Sequence, residues 1–367
     1  MKKQATPTIT YPKTLLLGVQ SPQNHVAHPE SYFEEFHNLA YTNGVETYEE
    51  LNIRIRSIDS GYFLTKGKRD EIKTFCDENN IEQVIISEPL SSRQATNLSD
   101  LFHCNIFDRT ELILEIFEKS AHTAEGKLQV SIARLQHKKS RLAGKGIHFG
   151  QQSGAIGVRG GFGETAKEKE TRHIDDSILQ IKRQLKKMHS ARETQRKQRL
   201  SANEPNLCLI GYTNAGKSTI LNILTHSKVL AEDKLFATLD TTTRSLFIHG
   251  KKKGTISDTV GFIQQLPPQL IEAFKSTLSE LHHADLLLHV IDVADPGWQN
   301  HINVVHKILE DLQVEAPMLY VFNKADKIDT TMLVGALEKY EPHVVVSSLT
   351  KKGIDPLIQH INTWMPS

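Results

Sequence analysis

The run Gly211-Tyr212-Thr213-Asn214-Ala215-Gly216-Lys217-Ser218-Thr219 has the residue types and spacing of a phosphate cradle. It follows a short apolar run, 207–210, that reads as a strand, and it opens a helical pattern, which is the context such a loop requires. The glycines let backbone N–H groups turn inward around phosphates, and the helix start adds its positive dipole end. Lys217 then reaches the β and γ phosphates, and the Ser218 hydroxyl can ligate Mg²⁺. Further along, Asp258-Thr259-Val260-Gly261 ends another apolar run. Asp258 there can hold the metal shell from the opposite side, and Gly261 can offer its N–H to a γ phosphate. Asn323-Lys324-Ala325-Asp326 follows a third run, 318–322, and selects the base. A carboxylate at Asp326 accepts two hydrogen bonds from guanine N1–H and its exocyclic amine, a donor pair that adenine lacks. Sites built this way discriminate by about 10⁴ or more. Ser347-Ser348-Leu349 sits after the last strand-like run as a base-side loop. The chemistry implied is Mg²⁺-assisted handling of GTP and GDP.

Between the cradle and Asp258 lies Phe236-Ala237-Thr238-Leu239-Asp240-Thr241-Thr242-Thr243-Arg244. A threonine here can ligate Mg²⁺ while the γ phosphate is present and release it after hydrolysis. Spacing leaves Thr238 and Thr241 to Thr243 all open. The catalytic set expected is Lys217, Gly261 and one of these threonines. One residue type is missing. Ras-type enzymes orient the attacking water with a glutamine directly after the Asp-x-x-Gly glycine; Phe262 stands there. A phenyl ring cannot polarise water, so slow intrinsic hydrolysis that a partner stimulates is expected.

These residues need elements to hold them. Residues 204–367 contain strand-like runs at 207–210, 245–248, 255–257, 286–291, 318–322 and 344–346 separated by helical stretches, an α/β domain with a mostly parallel sheet flanked by helices. Residues 1–121 alternate in the same manner, with strands expected at 14–19, 83–87 and 104–107 and helices at 31–39, 68–79, 91–101 and 109–117. That reads as a small α/β domain. Its Lys66-Gly67-Lys68-Arg69 cluster suits either anion contact or a solvated helix start. The segment 122–203 reads as two long helices around a glycine-rich loop, 144–163, that holds 8 of the 21 glycines. Leu128, Ile132, Leu135 and Leu142 share one helical face. Ile174, Ile178, Ile181, Leu185 and Met188 follow coiled-coil seam spacing, so an antiparallel hairpin is expected.

Charge is segregated. The net charge of the 367 residues is +1, yet residues 127–199 carry 18 Lys or Arg against 6 Asp or Glu, a local +12 that leaves −11 to the rest. Residues 182–199 alone have eight basic residues and one glutamate. Phosphate neutralisation dominates nucleic-acid affinity, so this segment points to RNA, and its lack of aromatic residues argues against base stacking. A solvated coiled coil is the competing reading. The first 20 residues have too little apolar sequence for a signal peptide or a membrane span. Three cysteines with no Cys-x-x-Cys pair argue against a disulfide framework or zinc ribbon. A cytoplasmic monomer is expected, peripheral at a membrane at most.

With these strings in place, the chain resembles the HflX-type GTPases of the Obg–HflX-like P-loop superfamily. The resemblance rests on the cradle, the Phe236-Ala-Thr-Leu-Asp stretch, Asp258-Thr-Val-Gly-Phe-Ile followed by Leu266-Pro, and the run from Asp285 to Asp295. Asp108-Arg-Thr, Glu125-Gly-Lys-Leu-Gln-Val and Ile156-Gly-x-Arg-Gly extend it upstream. The chain departs from the family's usual pattern at Thr65, Phe162 and Ala166-Lys167. What the resemblance implies is a GTP hydrolase that binds the large ribosomal subunit and separates subunits under stress. Its N-terminal domain, helical extension and glycine-rich loop would then reach ribosomal RNA. The resemblance also assigns the Mg²⁺ ligands to Ser218 and Thr238, beside Asp258. The alternative is a GTP-dependent switch that docks a protein and does not act on the ribosome.

Overall fold

The computed structural model describes residues 12–22, 29–144, 166–200, 204–225, 234–236, 238–239, 242–329, 334–350 and 352–365, without the side chains of 143–144, 166, 189–200, 275–277 and 279. The chain divides into two compact units, residues 1–115 with 139–163 and residues 116–138 with 164–367.

The first unit is built on β1 (Thr14–Gln20), α1 (Pro29–Thr42), β2 (Tyr48–Arg54), α2 (Lys66–Asn79), β3 (Gln83–Ile86), α3 (Ser92–Phe102), β4 (Asn105–Asp108) and the start of α4 (Arg109–Ser120). The strands form one parallel sheet in the order β2-β1-β3-β4. Leu15, Leu17 and Val19 of β1 and Val84 and Ile86 of β3 are buried against Ile72 of α2 and Leu98 and Phe102 of α3. Such uninterrupted apolar strands are what a sheet covered on both faces demands. β2 was not anticipated. It is an edge strand, and its sequence Tyr-Glu-Glu-Leu-Asn-Ile-Arg is mostly exposed, so it carries no apolar run to betray it; charge on an edge also blocks further strand addition.

The basic cluster at the head of α2 is used within the fold: Lys68 pairs with Glu71 at 2.7 Å and the Arg69 guanidinium lies 4.0 Å over the Tyr62 ring. At the start of α4, Asp108 Oδ1 accepts from the Glu111 N–H at 2.8 Å while the Glu111 carboxylate accepts from the Asp108 N–H at 3.4 Å, a reciprocal helix cap. Burial and the neighbouring Asp108 charge raise the Glu111 carboxyl to about 7, against the pull of Arg141. The folded protein therefore holds this proton more tightly than the unfolded chain, and stability falls as pH rises from about 4.5 through 7. Glu111→Gln should flatten that decline by about 2 kcal/mol between pH 5 and pH 8. Urea denaturation followed by circular dichroism at the two pH values tests it, and an unchanged slope removes Glu111 from the explanation.

The second unit takes in the end of α4, α5 (Ala124–Gly144) as far as Lys138, and α6 (Ala166–Leu200). Lys138 of α5 and Glu170 of α6 pair at 3.0 Å, as an antiparallel arrangement of the two requires. Ile132, Ile174 and Leu185 of the expected seams are buried, and Leu128, Leu135, Ile178, Ile181 and Met188 are partly buried. Residues 145–163 of the glycine-rich loop lie outside the described residues. The rest comprises β5 (Asn206–Gly211), α7 (Lys217–Thr225), β6 (Thr242–Ile248), β7 (Lys251–Asp258), α8 (Pro268–Leu278), β8 (Leu286–Asp292), α9 (Trp298–Asp311), β9 (Met318–Asn323), α10 (Val334–Leu337), β10 (His343–Val345) and α11 (Asp355–Trp364). Its six strands run in the order β10-β9-β8-β5-β7-β6, parallel except for β6. β5 is central, and the chain leaves it to β7 on one side and β8 on the other. The crevice at the carboxyl ends of strands around such a switch point is where open α/β sheets bind ligands. No helix among the described residues is long and apolar enough to cross a membrane.

Candidate active site

The cradle leaves the end of β5 and feeds α7. At Gly216 the backbone has φ +97, and a Cβ there would lie 2.3 Å from Asn323 Nδ2, so only glycine lets the loop close. The Lys217 ammonium is buried and donates to the Gly211 carbonyl at 3.1 Å and the Tyr212 carbonyl at 2.7 Å. Burial lowers it to about 8, partly offset by Asp258. This cation is held ready inside the loop with few counter-charges.

Three oxygens from three separate segments meet beside it. Ser218 Oγ donates to Asp258 Oδ2 at 2.9 Å and lies 2.9 Å from Thr238 Oγ1. Burial raises the Asp258 carboxyl, while Lys217, Ser218 and Thr238 oppose that shift. Asp258 Oδ1 is buried and takes no hydrogen bond. An all-oxygen set of two hydroxyls and a carboxylate with an unsatisfied buried oxygen fits a hard divalent cation such as Mg²⁺. Among the described threonines left open by spacing, Thr238 is brought here, whereas Thr243 Oγ1 bonds Ser257 Oγ across the β6–β7 ladder at 2.9 Å. Ala237, Asp240 and Thr241 lie outside the described residues.

A cleft opens over this group, lined by Thr213, Gly216, Lys217 and Ser218 of the cradle and by Lys234, Phe236, Thr238 and Gly261. Asn214 and Thr219 also face it. A Cβ at Gly261 would come within 2.8 Å of Thr213 Cγ2 and 3.1 Å of Lys217 Nζ, which places this glycine's backbone against the cradle. Phe236 adopts φ +57, a left-handed conformation that costs an L-residue about 1–2 kcal/mol. Its buried ring meets the Phe117 ring edge-on, with centroids 4.5 Å apart. Burying a phenylalanine contributes about 1.5–3 kcal/mol and an edge-to-face pair about 0.5–1.5 more, so packing outweighs the backbone strain.

Other expected binding residues turn their side chains elsewhere. The Tyr212 ring stacks on His301 at 3.7 Å, and its hydroxyl accepts the Gln264 N–H at 2.6 Å. Thr259 Oγ1 donates to the Leu209 carbonyl at 2.7 Å, and Leu239 and Val260 are buried. These four can address a nucleotide only through their backbones. Phe262 is buried too, and its backbone is zipped to the cradle: its N–H donates to the Gly211 carbonyl at 3.2 Å, and its carbonyl accepts the Thr213 N–H at 2.8 Å.

The base end is assembled by Asn323, whose Nδ2 donates to the Ala215 carbonyl at 2.8 Å and to Ser348 Oγ at 3.1 Å, while its Oδ1 accepts the Ser348 N–H at 3.0 Å. Lys324, in a left-handed turn, pairs with Asp292 at 2.6 Å. Ser347 Oγ donates to Asp326 Oδ1. Leu349 is 78% exposed, an apolar surface available to a flat ring. Sequence reasoning missed Lys234 in the cleft wall and Phe117 behind it; neither belongs to a nucleotide motif, and only its position just ahead of Phe236 marked Lys234.

A central strand, a glycine cradle, a hydroxyl–carboxylate cluster beside it and an Asn-Lys-x-Asp loop define a P-loop GTPase. The comparisons with known proteins carry this further. Family models match in succession: "GTP-binding GTPase N-terminal" over residues 30–118, "GTP-binding GTPase Middle Region" over 120–199 and "50S ribosome-binding GTPase" over 206–324. The GTPase HflX of Caldanaerobacter subterraneus is 40% identical over 348 residues, covering 95% of this chain and 79% of that protein. The GTPase HflX of Escherichia coli K12 is 40% identical over 329 residues, covering 89% and 77%. The chain belongs to the HflX family of GTPases. A crystal structure of SsGBP with GDP shares the fold, with a TM-score of 0.52 at 24% identity, covering 96% of this chain and 98% of that one.

Proposed function

We propose that the protein is a Mg²⁺-dependent GTP hydrolase that works on the large ribosomal subunit, is activated by it, and separates or rescues ribosomes under stress. The observation that carries the activation is Phe262. The position that would orient the attacking water is an apolar side chain packed into the protein, so turnover by the protein alone is slow and a partner must reorder the neighbouring segments or bring a polar group. Such help accelerates related enzymes by roughly 10³–10⁵.

In this reading Ser218, Thr238 and Asp258 would hold a Mg²⁺ ion, which would supply positive charge for the phosphate chemistry. Lys217 adds its ammonium to the same oxygens, Gly261 offers its N–H to the γ phosphate, and Asp326 accepts the guanine donors. The cradle from Gly211 to Thr219, the stretch from Phe236 to Asp240, and Asn323, Lys324 and Ser347 to Leu349 complete the pocket. The +12 balance of residues 127–199 supports an RNA partner, and the C-terminal family model is described as ribosome-binding. The division into 1–121, 122–203 and 204–367, a cytoplasmic location and a monomeric state belong to the same proposal.

GTP turnover measured with and without purified large ribosomal subunits, at low and raised salt, tests it. Stimulation of about 10² or more, weakening as salt rises, is the expected result. No stimulation at any salt, or full activity of the protein alone, overturns the ribosomal reading and leaves the protein-docking switch.

A further inference from the structure

The geometry points to Phe117, outside every nucleotide motif, as the residue that positions Thr238 and the Gly261 segment for hydrolysis. Phe117 lies near the end of α4, within the same compact unit as the nucleotide elements. Its ring is 1% exposed and stands edge-on to two others at once: Phe236, with centroids 4.5 Å apart and planes at 85°, and Phe274, at 5.4 Å and 87°. Those partners belong to different arms of the site. Phe236 sits in the cleft wall two residues before Thr238, in a backbone conformation that its ring packing must sustain. Phe274 is on α8, the helix that follows the Gly261–Gln265 segment. One ring therefore wedges both the arm that brings a hydroxyl to Ser218 and Asp258 and the arm that lays Gly261 against Lys217.

Removing the wedge frees Phe236 to relax out of the left-handed region, and Thr238 moves with it. The hydrogen bonds that join the cradle to the base loop, from Asn323 to Ala215 and to Ser348, involve neither of these two arms. Phe117 is thus a positioning residue that acts on the γ-phosphate state and leaves the diphosphate state alone. A shift of about an ångström in a group near the reacting atoms can cost 10²-fold in rate. This inference rests on the reading of Thr238 as a metal ligand.

The test uses the full-length protein with Phe117→Leu, which keeps apolar volume, and Phe117→Ala, with Thr238→Ala alongside. Measured are single-turnover GTP hydrolysis, its Mg²⁺ dependence, and affinities for GDP and a non-hydrolysable GTP analogue. Phe117→Leu is expected to lower the hydrolysis rate about ten- to a hundredfold and to raise the Mg²⁺ needed for half-maximal activity, with GDP affinity within about twofold of the parent. Phe117→Leu combined with Thr238→Ala should be no slower than Thr238→Ala alone. Wild-type rate and Mg²⁺ dependence in Phe117→Leu, or parallel loss of GDP and analogue binding, overturns the inference. If Thr238→Ala itself hydrolyses normally, the metal-site reading fails first, and the two failures are told apart.

Discussion

Lys217→Ala should lower the affinity for GTP by about two to three orders of magnitude. The Lys217 ammonium is buried, pushed down to about 8 by desolvation, and held by two loop carbonyls. A buried cation kept this way is costly to the isolated protein and is compensated when phosphate oxygens arrive. Removing one partner of a buried, hydrogen-bonded charge pair costs about 2–5 kcal/mol, much of it from stranding the other. Here the stranded groups are the phosphate oxygens and the Gly211 and Tyr212 carbonyls. Calorimetric titration with GTP and Mg²⁺ measures the loss directly, and circular dichroism shows whether the variant is folded. Undiminished affinity in a folded variant would place the triphosphate elsewhere.

The second large effect is one of kind. Asp326→Asn should abolish most of the preference for GTP over ATP, which sites of this type set at about 10⁴. An asparagine amide offers one acceptor and one donor where the carboxylate offered two acceptors, so the guanine amine loses its partner. A purine with a carbonyl in that place, as in xanthosine triphosphate, gains one. Competition binding among the three nucleotides reads this out, and a GTP preference that survives the change refutes the base assignment. Ser347, which donates to Asp326, keeps a bonding partner in the variant, so the loop retains its local support.

Much of the architecture was legible from apolar periodicity. Buried parallel strands such as β5 and β8 are nearly continuous hydrophobic runs, and the segments between them carry helical spacing. β2 was not legible, because an exposed edge strand with two adjacent glutamates has no periodic signature. Convergence of Ser218, Thr238 and Asp258 was partly legible. The motifs pointed to a serine, an aspartate and some threonine, but choosing among the threonines from spacing alone needed the fold, since Thr243 is committed to the sheet. The inward turn of Tyr212 and Thr259 was hidden for a similar reason: a motif names residues that lie along the loop and is silent on which face each side chain takes. Phe117 was out of reach. An aromatic residue on an amphipathic helix reads as generic core, and its two partners lie far away in the chain.

Asn323 has a bearing on both ends of this pocket. Its amide joins the Ala215 carbonyl of the cradle to Ser348 of the base loop, so one side chain serves as a gauge of the gap between the triphosphate and the purine. If GTP sits here as proposed, loss of that amide is expected to loosen selectivity for the letter and tenacity for the charge together.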